Sequence, residues 1–158
     1  MIALIQRVTM ARVQVAGRIR GEIAAGLLAL IGVERNDATP QVLRLLERLL
    51  DYRVFADAAG RMNRSLRDTA GGLLLVPQFT LLADTSSGNR PGFSGAAVPE
   101  QARARFGQLL DAARAAHAPV AAGEFGAHME LTLTNDGPVT FWLEVPPAVL
   151  APAAAPEP

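Results

Sequence analysis

Apolar runs dominate this chain, some alternating with polar residues and some continuous, and glycines and Asn/Asp turns interrupt them. The pattern predicts strands over residues 2–8, 12–15, 26–33, 53–56, 73–80, 120–124, 128–134 and 139–145. Two stretches switch to helical spacing. The first takes Thr39 as N-cap and Pro40 at the first helical position, then sets Val42, Leu43, Leu46, Leu49 and Leu50 on one stripe. The second starts near Pro99, carries Ala102, Phe106, Leu109, Leu110 and Ala113, and must end before Pro119. Both stripes read as core faces. No repeat is visible, and the Ala/Pro-rich residues 146–158 read as a disordered or extended tail behind one domain over residues 1–145.

Composition removes several chemistries. At 158 residues, half of them apolar, the chain can bury a sizeable core. It has no cysteine, which excludes disulfides, a thiol nucleophile and thiolate metal sites and fits a reducing cytoplasm. All fifteen basic residues are arginine, so a Walker-type phosphate loop and a lysine base are excluded too. Fifteen acids balance them. Any RNA contact must therefore use a local arginine cluster, because no net field steers the ligand. The apolar stretch before Arg7 is too short for a signal peptide, and no segment reaches the roughly 20 apolar residues of a membrane helix, so no membrane partner is expected.

Candidate catalytic groups are few. His117 falls at the end of the second helix, where a cation caps favourably, and His128 alternates with Glu130 on the solvent side of a strand. Neither has a recognisable Ser-His-Asp spacing, and His-Glu-x-x-His is absent, so a metal-free, cofactor-free site is expected. Thr80 has no evident base beside it, and Asp84 reads as a turn former over residues 84–89. Arg61 to Arg67 could touch phosphate, though such a run more commonly lies on a solvated loop. The most informative stretch is Asn135-Asp136-Gly137-Pro138-Val139-Thr140, in which a Gly-Pro turn opens directly into a β-branched and aromatic run. Proline fixes its own φ and glycine accepts angles closed to other residues, so such a turn can present backbone carbonyls as a fixed wall.

That stretch and Pro77-Gln78-Phe79-Thr80 together resemble the two signatures of the D-aminoacyl-tRNA deacylase family, Asn-x-Gly-Pro-Val-Thr and Ser-Gln-Phe-Thr. The opening Met1 to Val8, the segments Ala83-Asp84-Thr85, Arg90-Pro91 and Phe93 to Ala97, and the late Gly123 to Ala127 with Met129 are also similar to family sequence, in family order. The resemblance spans roughly residues 1 to 145. Pro77 departs from it, standing where the family usually has serine and where a related animal-type deacylase of mischarged tRNA has Pro-Gln-x-Thr.

The resemblance implies hydrolysis of D-aminoacyl-tRNA by a cytoplasmic homodimer. Backbone around Gln78, Phe79 and Thr80 would line the cleavage pocket, and the ribose 2′-hydroxyl of the substrate would assist attack. Gly137-Pro138 would be cis and would enter the partner's site in trans, where two carbonyls bar an L side chain while D-residues and glycine fit. Arg7 would brace that loop, with Phe125, Ala127 and Met129 as pocket-wall positions. The expected fold class is α+β, with curved mixed and antiparallel sheets forming a barrel-like core and two helices packed outside. An editing deacylase for another misacylated tRNA, or a noncatalytic nucleic-acid-binding module on the same fold, are the alternatives.

Overall fold

Two different burial environments explain why some strands of this chain alternate and others read as unbroken apolar runs. A computed structural model describes residues 1–146, so most of the expected tail lies outside the described residues. Strand β1 (Ile2–Val15) turns through Ala16 and Gly17, both at positive φ, into β2 (Arg18–Ile23) and then β3 (Gly26–Gly32). Helix α1 (Thr39–Asp51), the short strands β4 (Phe55–Ala56) and β5 (Met62–Arg64), and the one-turn helix α2 (Leu66–Thr69) follow. Strand β6 (Gly72–Pro77) leads into a turn of 3-10 helix at Phe79–Leu82, then α3 (Pro99–Ala116), β7 (Val120–Ala122) and β8 (Glu130–Glu144).

The long β1 organises the sheet. Its first half pairs antiparallel with β3 and its second half with β2, so β2 and β3 form two sections of one return arm. β6 joins β3 in parallel and β7 joins β6 in parallel, while β8 runs antiparallel along the opposite edge of β1. The sheet curls until β2 lies against β7: a Cβ on Gly21 would sit 2.7 Å from the Ala122 carbonyl oxygen. At Gly26 the approach is closer still, with a Cβ falling 2.0 Å from the carbonyl oxygen of Gly72. The result is a nearly closed, barrel-like mixed sheet.

Inside the curl, Val8, Ala11, Val13, Ile23, Leu28, Leu74 and Val76 pack together. On the other face, α1 and α3 cover Leu27, Ala29, Ile31, Leu73 and Leu75. β3 and β6 are thus buried on both sides, which is why they are continuously apolar. β8 keeps one exposed face and alternates along its length. Met1 is fully buried, its ammonium 2.6 Å from Asp37 and 2.7 Å from Glu34. Burial pushes the Asp37 carboxyl above its usual range, against the hydrogen bond from that ammonium.

Several boundaries differ from expectation. Residues 2–8 and 12–15 are one strand, and β2 was not anticipated because its outward arginines and Glu22 leave only Gly21 and Ile23 buried. The cap of α1 is Ala38, not Thr39: Gln41 accepts the Ala38 N–H at 3.1 Å, and the Thr39 hydroxyl turns instead to Gln108 of α3. Leu43 lies off the α1 stripe and is 52% exposed, with fully buried Leu45 in its place at the 42/45/46/49/50 spacing. There are three α-helices among the described residues, not two, because the Ser65–Asp68 capping box makes one turn of α2. The strands expected over residues 53–56 and 120–124 shrink to Phe55–Ala56 and Val120–Ala122. Residues 128–134 and 139–145, expected as two strands, become β8 with an excursion in its middle. Among the described residues no helix is long and apolar enough to cross a membrane.

Candidate active site

Where β3 and β6 end, α3 and the loop before β8 leave a cavity of about 340 Å³, within the usual range for small-ligand sites. Ile31, Val33, Val76, Ala102, Phe106 and Leu131 give it an apolar lining. Ala102 and Phe106, expected only as core residues, therefore serve both the core and the cavity. Gln78 and Phe79 border it on one side, and Phe125, Ala127, His128 and Met129 on another. Pro77 lines it as well.

Strand β6 stops earlier than the apolar run suggests. It ends at Pro77, where the Gln78 N–H makes a last bond to Ile31 O at 2.7 Å before the chain tightens into the 3-10 turn. That turn leaves its first amides free. Leu81 N–H reaches Gln78 O and Ala83 N–H reaches Thr80 O, but among the described residues the amides of Phe79 and Thr80 have no acceptor. Free N–H groups at the start of a helical turn are suited to a developing oxyanion. The Thr80 hydroxyl accepts a hydrogen bond from the Gln78 side-chain amide, and no histidine or carboxylate among the described residues bonds to it. It is exposed and does not line the cavity.

The Gly137-Pro138 bond is cis. Opposite the step from Gln6 to Val8 on β1, β8 advances from Thr140 to Asn135, so residues 136–139 loop out where β1 spends one residue, Arg7. Asn135 holds the base of that loop, accepting the Val139 N–H and donating to Thr140 Oγ1, both at 2.9 Å. Arg7 grips it from beneath. Its Nη1 donates to Val54 O at 2.6 Å, and its Nε reaches Asp136 O at 3.2 Å and the Asp136 carboxylate at 3.0 Å. Arg7 is 15% exposed, hardly an end-of-strand surface group. Gly137 sits at φ +127°, and a Cβ there would lie 2.7 Å from Val139 Cγ2 and 3.1 Å from Arg7 Nη2. None of Arg7, Gly137 and Pro138 lines the cavity of its own chain.

The remaining candidates disperse. His117 is the C-cap of α3, but its ring is half-buried and Nε2 donates to Gly71 O at 2.7 Å, so it ties α3 to the start of β6 instead of capping on the surface. His128 precedes β8 instead of opening it, is exposed and stands at the cavity rim. Asp84 accepts the Ser86 N–H at 3.0 Å, and bonds to Ser86 hold its carboxyl below the usual range. The arginines of the 61–67 run are engaged within the chain, Arg61 with Asp57, Arg64 with Asp68 O, and Arg67 with Asp51. No group of three His, Cys, Asp or Glu among the described residues could hold a metal.

Sequence reasoning missed Arg103. Its guanidinium lies 4.8 Å above the Phe125 ring centroid and donates to Phe125 O at 3.2 Å. The signal was slight: an arginine one turn before Phe106 on a helix whose stripe reads as core.

Comparison with known proteins places these features. A family model described as D-Tyr-tRNA(Tyr) deacylase matches residues 4–144. The D-aminoacyl-tRNA deacylase of Thioalkalivibrio sulfidiphilus (strain HL-EbGR7) is 62% identical over 147 residues, covering 93% of this chain and 99% of the relative. That of Xanthomonas oryzae pv. oryzae (strain MAFF 311018) is 66% identical over 144 residues, covering 90% and 99%. Among solved structures, one titled c-Myc DNA Unwinding Element Binding Protein has 36% identity and a TM-score of 0.88, covering 92% of this chain and 99% of its own. Another, titled as a probable eukaryotic D-amino acid tRNA deacylase, matches in fold with 17% identity, a TM-score of 0.74 and coverage of 91% and 98%. The cavity, the 3-10 turn beside it and the braced Gly-Pro loop thus occur in a chain that belongs to the D-Tyr-tRNA(Tyr) deacylase family.

Proposed function

We propose that this protein hydrolyses the ester bond of D-aminoacyl-tRNA, freeing tRNA and the D-amino acid as a chirality proofreading step in translation. The observation that carries the reading is the family match over residues 4–144, coincident with a built cavity bordered by Gln78 and Phe79, where a turn begins whose first two amides have no acceptor among the described residues. The terminal adenosine occupies the cavity, and the ester carbonyl meets the N–H groups of Phe79 and Thr80. Water adds to that carbonyl, the bond to the ribose 3′-oxygen breaks, and the leaving oxygen takes a proton. With no base among the described residues bonded to Thr80, the neighbouring 2′-hydroxyl assists attack from within the substrate. No cofactor is needed.

The chiral filter is the Gly137-Pro138 loop, acting in trans in a cytoplasmic homodimer. Two features support this. The loop lies off the cavity of its own chain yet is pinned by Asn135 and Arg7, as a wall that must not relax requires. In addition, among the described residues β8 pairs only with β1 and carries Trp142 49% exposed, an edge of the kind proteins cover. Pro77 lines the cavity, so a preference for another misacylated tRNA would be read there. The solved relative titled as a DNA-element-binding protein favours, as a second reading, nucleic-acid binding without turnover. Release of tyrosine from matched D- and L-tyrosyl-tRNA separates these readings. Rapid release from the D form with little from the L form is expected; binding of both without release would favour the second reading.

A further inference from the structure

Among the described residues, Phe125 is the phenylalanine on the cavity wall that a loop carries, and α3 grips it with two residues one turn apart. Phe106 packs against it with ring centroids 6.4 Å apart, and Arg103 lies over it at 4.8 Å. The same guanidinium donates from Nη2 to Phe125 O at 3.2 Å, so ring and backbone of one residue share one clamp. The next residue, Gly126, sits at φ +82°, and a Cβ there would come within 3.3 Å of Arg103 Nη2. At its other end the loop is fixed by the Arg20–Glu124 ion pair at 3.1 Å and by the Glu124 N–H, which points at Met129 Sδ at 3.3 Å.

We propose that Arg103 is a positioning residue for the substrate nucleoside: it holds the Phe125 wall of the cavity at a fixed height and tilt without touching the reacting atoms. This inference rests on the functional reading above, in which the cavity takes the terminal adenosine. A ring that drifts cannot stack reproducibly on a base, and a loop with a left-handed glycine drifts unless something outside it holds it. Arg103 is exposed along α3, so its loss leaves the helix intact. Lysine keeps the charge above the ring but lacks the planar fork that reaches the carbonyl at the same time.

The test compares wild type, Arg103→Ala and Arg103→Lys on D-tyrosyl-tRNA and on the D-tyrosyl ester of adenosine, with gel filtration and thermal melting as fold controls. A cation–π contact and one charged hydrogen bond together correspond to a KM increase of about three- to tenfold in Arg103→Ala, with kcat little changed. The increase should be equal on both substrates, and Arg103→Lys should recover part of it. A KM increase on tRNA alone would make Arg103 a phosphate contact and overturn the proposal. So would an unchanged KM with a lowered melting temperature, which is what a purely structural arginine gives. Wild-type protein inactive on both substrates would instead remove the functional reading, and this inference with it.

Discussion

Thr80 is the residue whose role the geometry narrows most. Its hydroxyl accepts from Gln78 and meets no base among the described residues, so Thr80→Ala gives up one neutral hydrogen bond. That corresponds to a loss within about tenfold in single-turnover rate. Loss of several orders of magnitude, as removal of a true nucleophile gives, would restore Thr80 to the chemistry. The complementary 2′-deoxy substrate should be cleaved far more slowly if the substrate assists its own hydrolysis. Legibility at this scale depended on motif. Gln78, Phe79, Phe125, Ala127 and Met129 could be named from the sequence and do border one cavity. Arg7 was as readily a surface residue, because nothing in its neighbours tells that Val54 O and Asp136 will converge on it. Arg103 was invisible, since its partner is a carbonyl and ring 22 residues away.

Among elements, the helices were legible where spacing was strong and misjudged where it was loose. Leu43 and Leu49 look equivalent in a leucine-rich helix, yet Leu49 is fully buried and Leu43 is 52% exposed. Leu49→Ala should therefore cost about 2–5 kcal/mol in denaturant unfolding, whereas Leu43→Ala should fall within about 0.5 kcal/mol of wild type. Equal losses would mean that α1 packs in another register. The continuous apolar runs of β3 and β6 announced strands buried on both faces. β2 was hidden for the opposite reason: a strand with arginine and glutamate outward and a glycine inward has no apolar alternation to read. The excursion at residues 136–139 was legible as a turn but not as an interruption within a single strand, because the pairing that continues beyond it belongs to β1.

At the scale of the whole molecule, acid and assembly are the two levers. Asp57 is held below its ordinary value by bonds from the Arg61 N–H and the Asn63 side chain, and Asp68 by the N–H and hydroxyl of Ser65. A depressed carboxyl contributes stability that is complete above its unfolded pKa and is lost as pH falls through the folded one, so the melting temperature should drop below about pH 4. Asp37 acts with the opposite sign, because its raised folded pKa relieves a cost on protonation. The double variant Asp57→Asn/Asp68→Asn should flatten the acid decline; an unchanged slope would assign it to other carboxylates. The barrel-like sheet with its outer helices was legible from the sequence only through the resemblance, since strand order is a long-range property that periodicity does not carry. The central claim is that a cavity in one subunit is completed by the Gly137-Pro138 loop of the other. Mixed subunits test it most directly: Gly137→Val, whose side chain collides with Val139 and Arg7, is combined with Ala127→Trp, which fills the cavity. Each variant alone should fail on D-tyrosyl-tRNA, while co-refolded mixtures should regain D-selective hydrolysis from the one composite site that pairs an open cavity with an intact loop. Mixed dimers that stay as inactive as their parents would contradict the shared site.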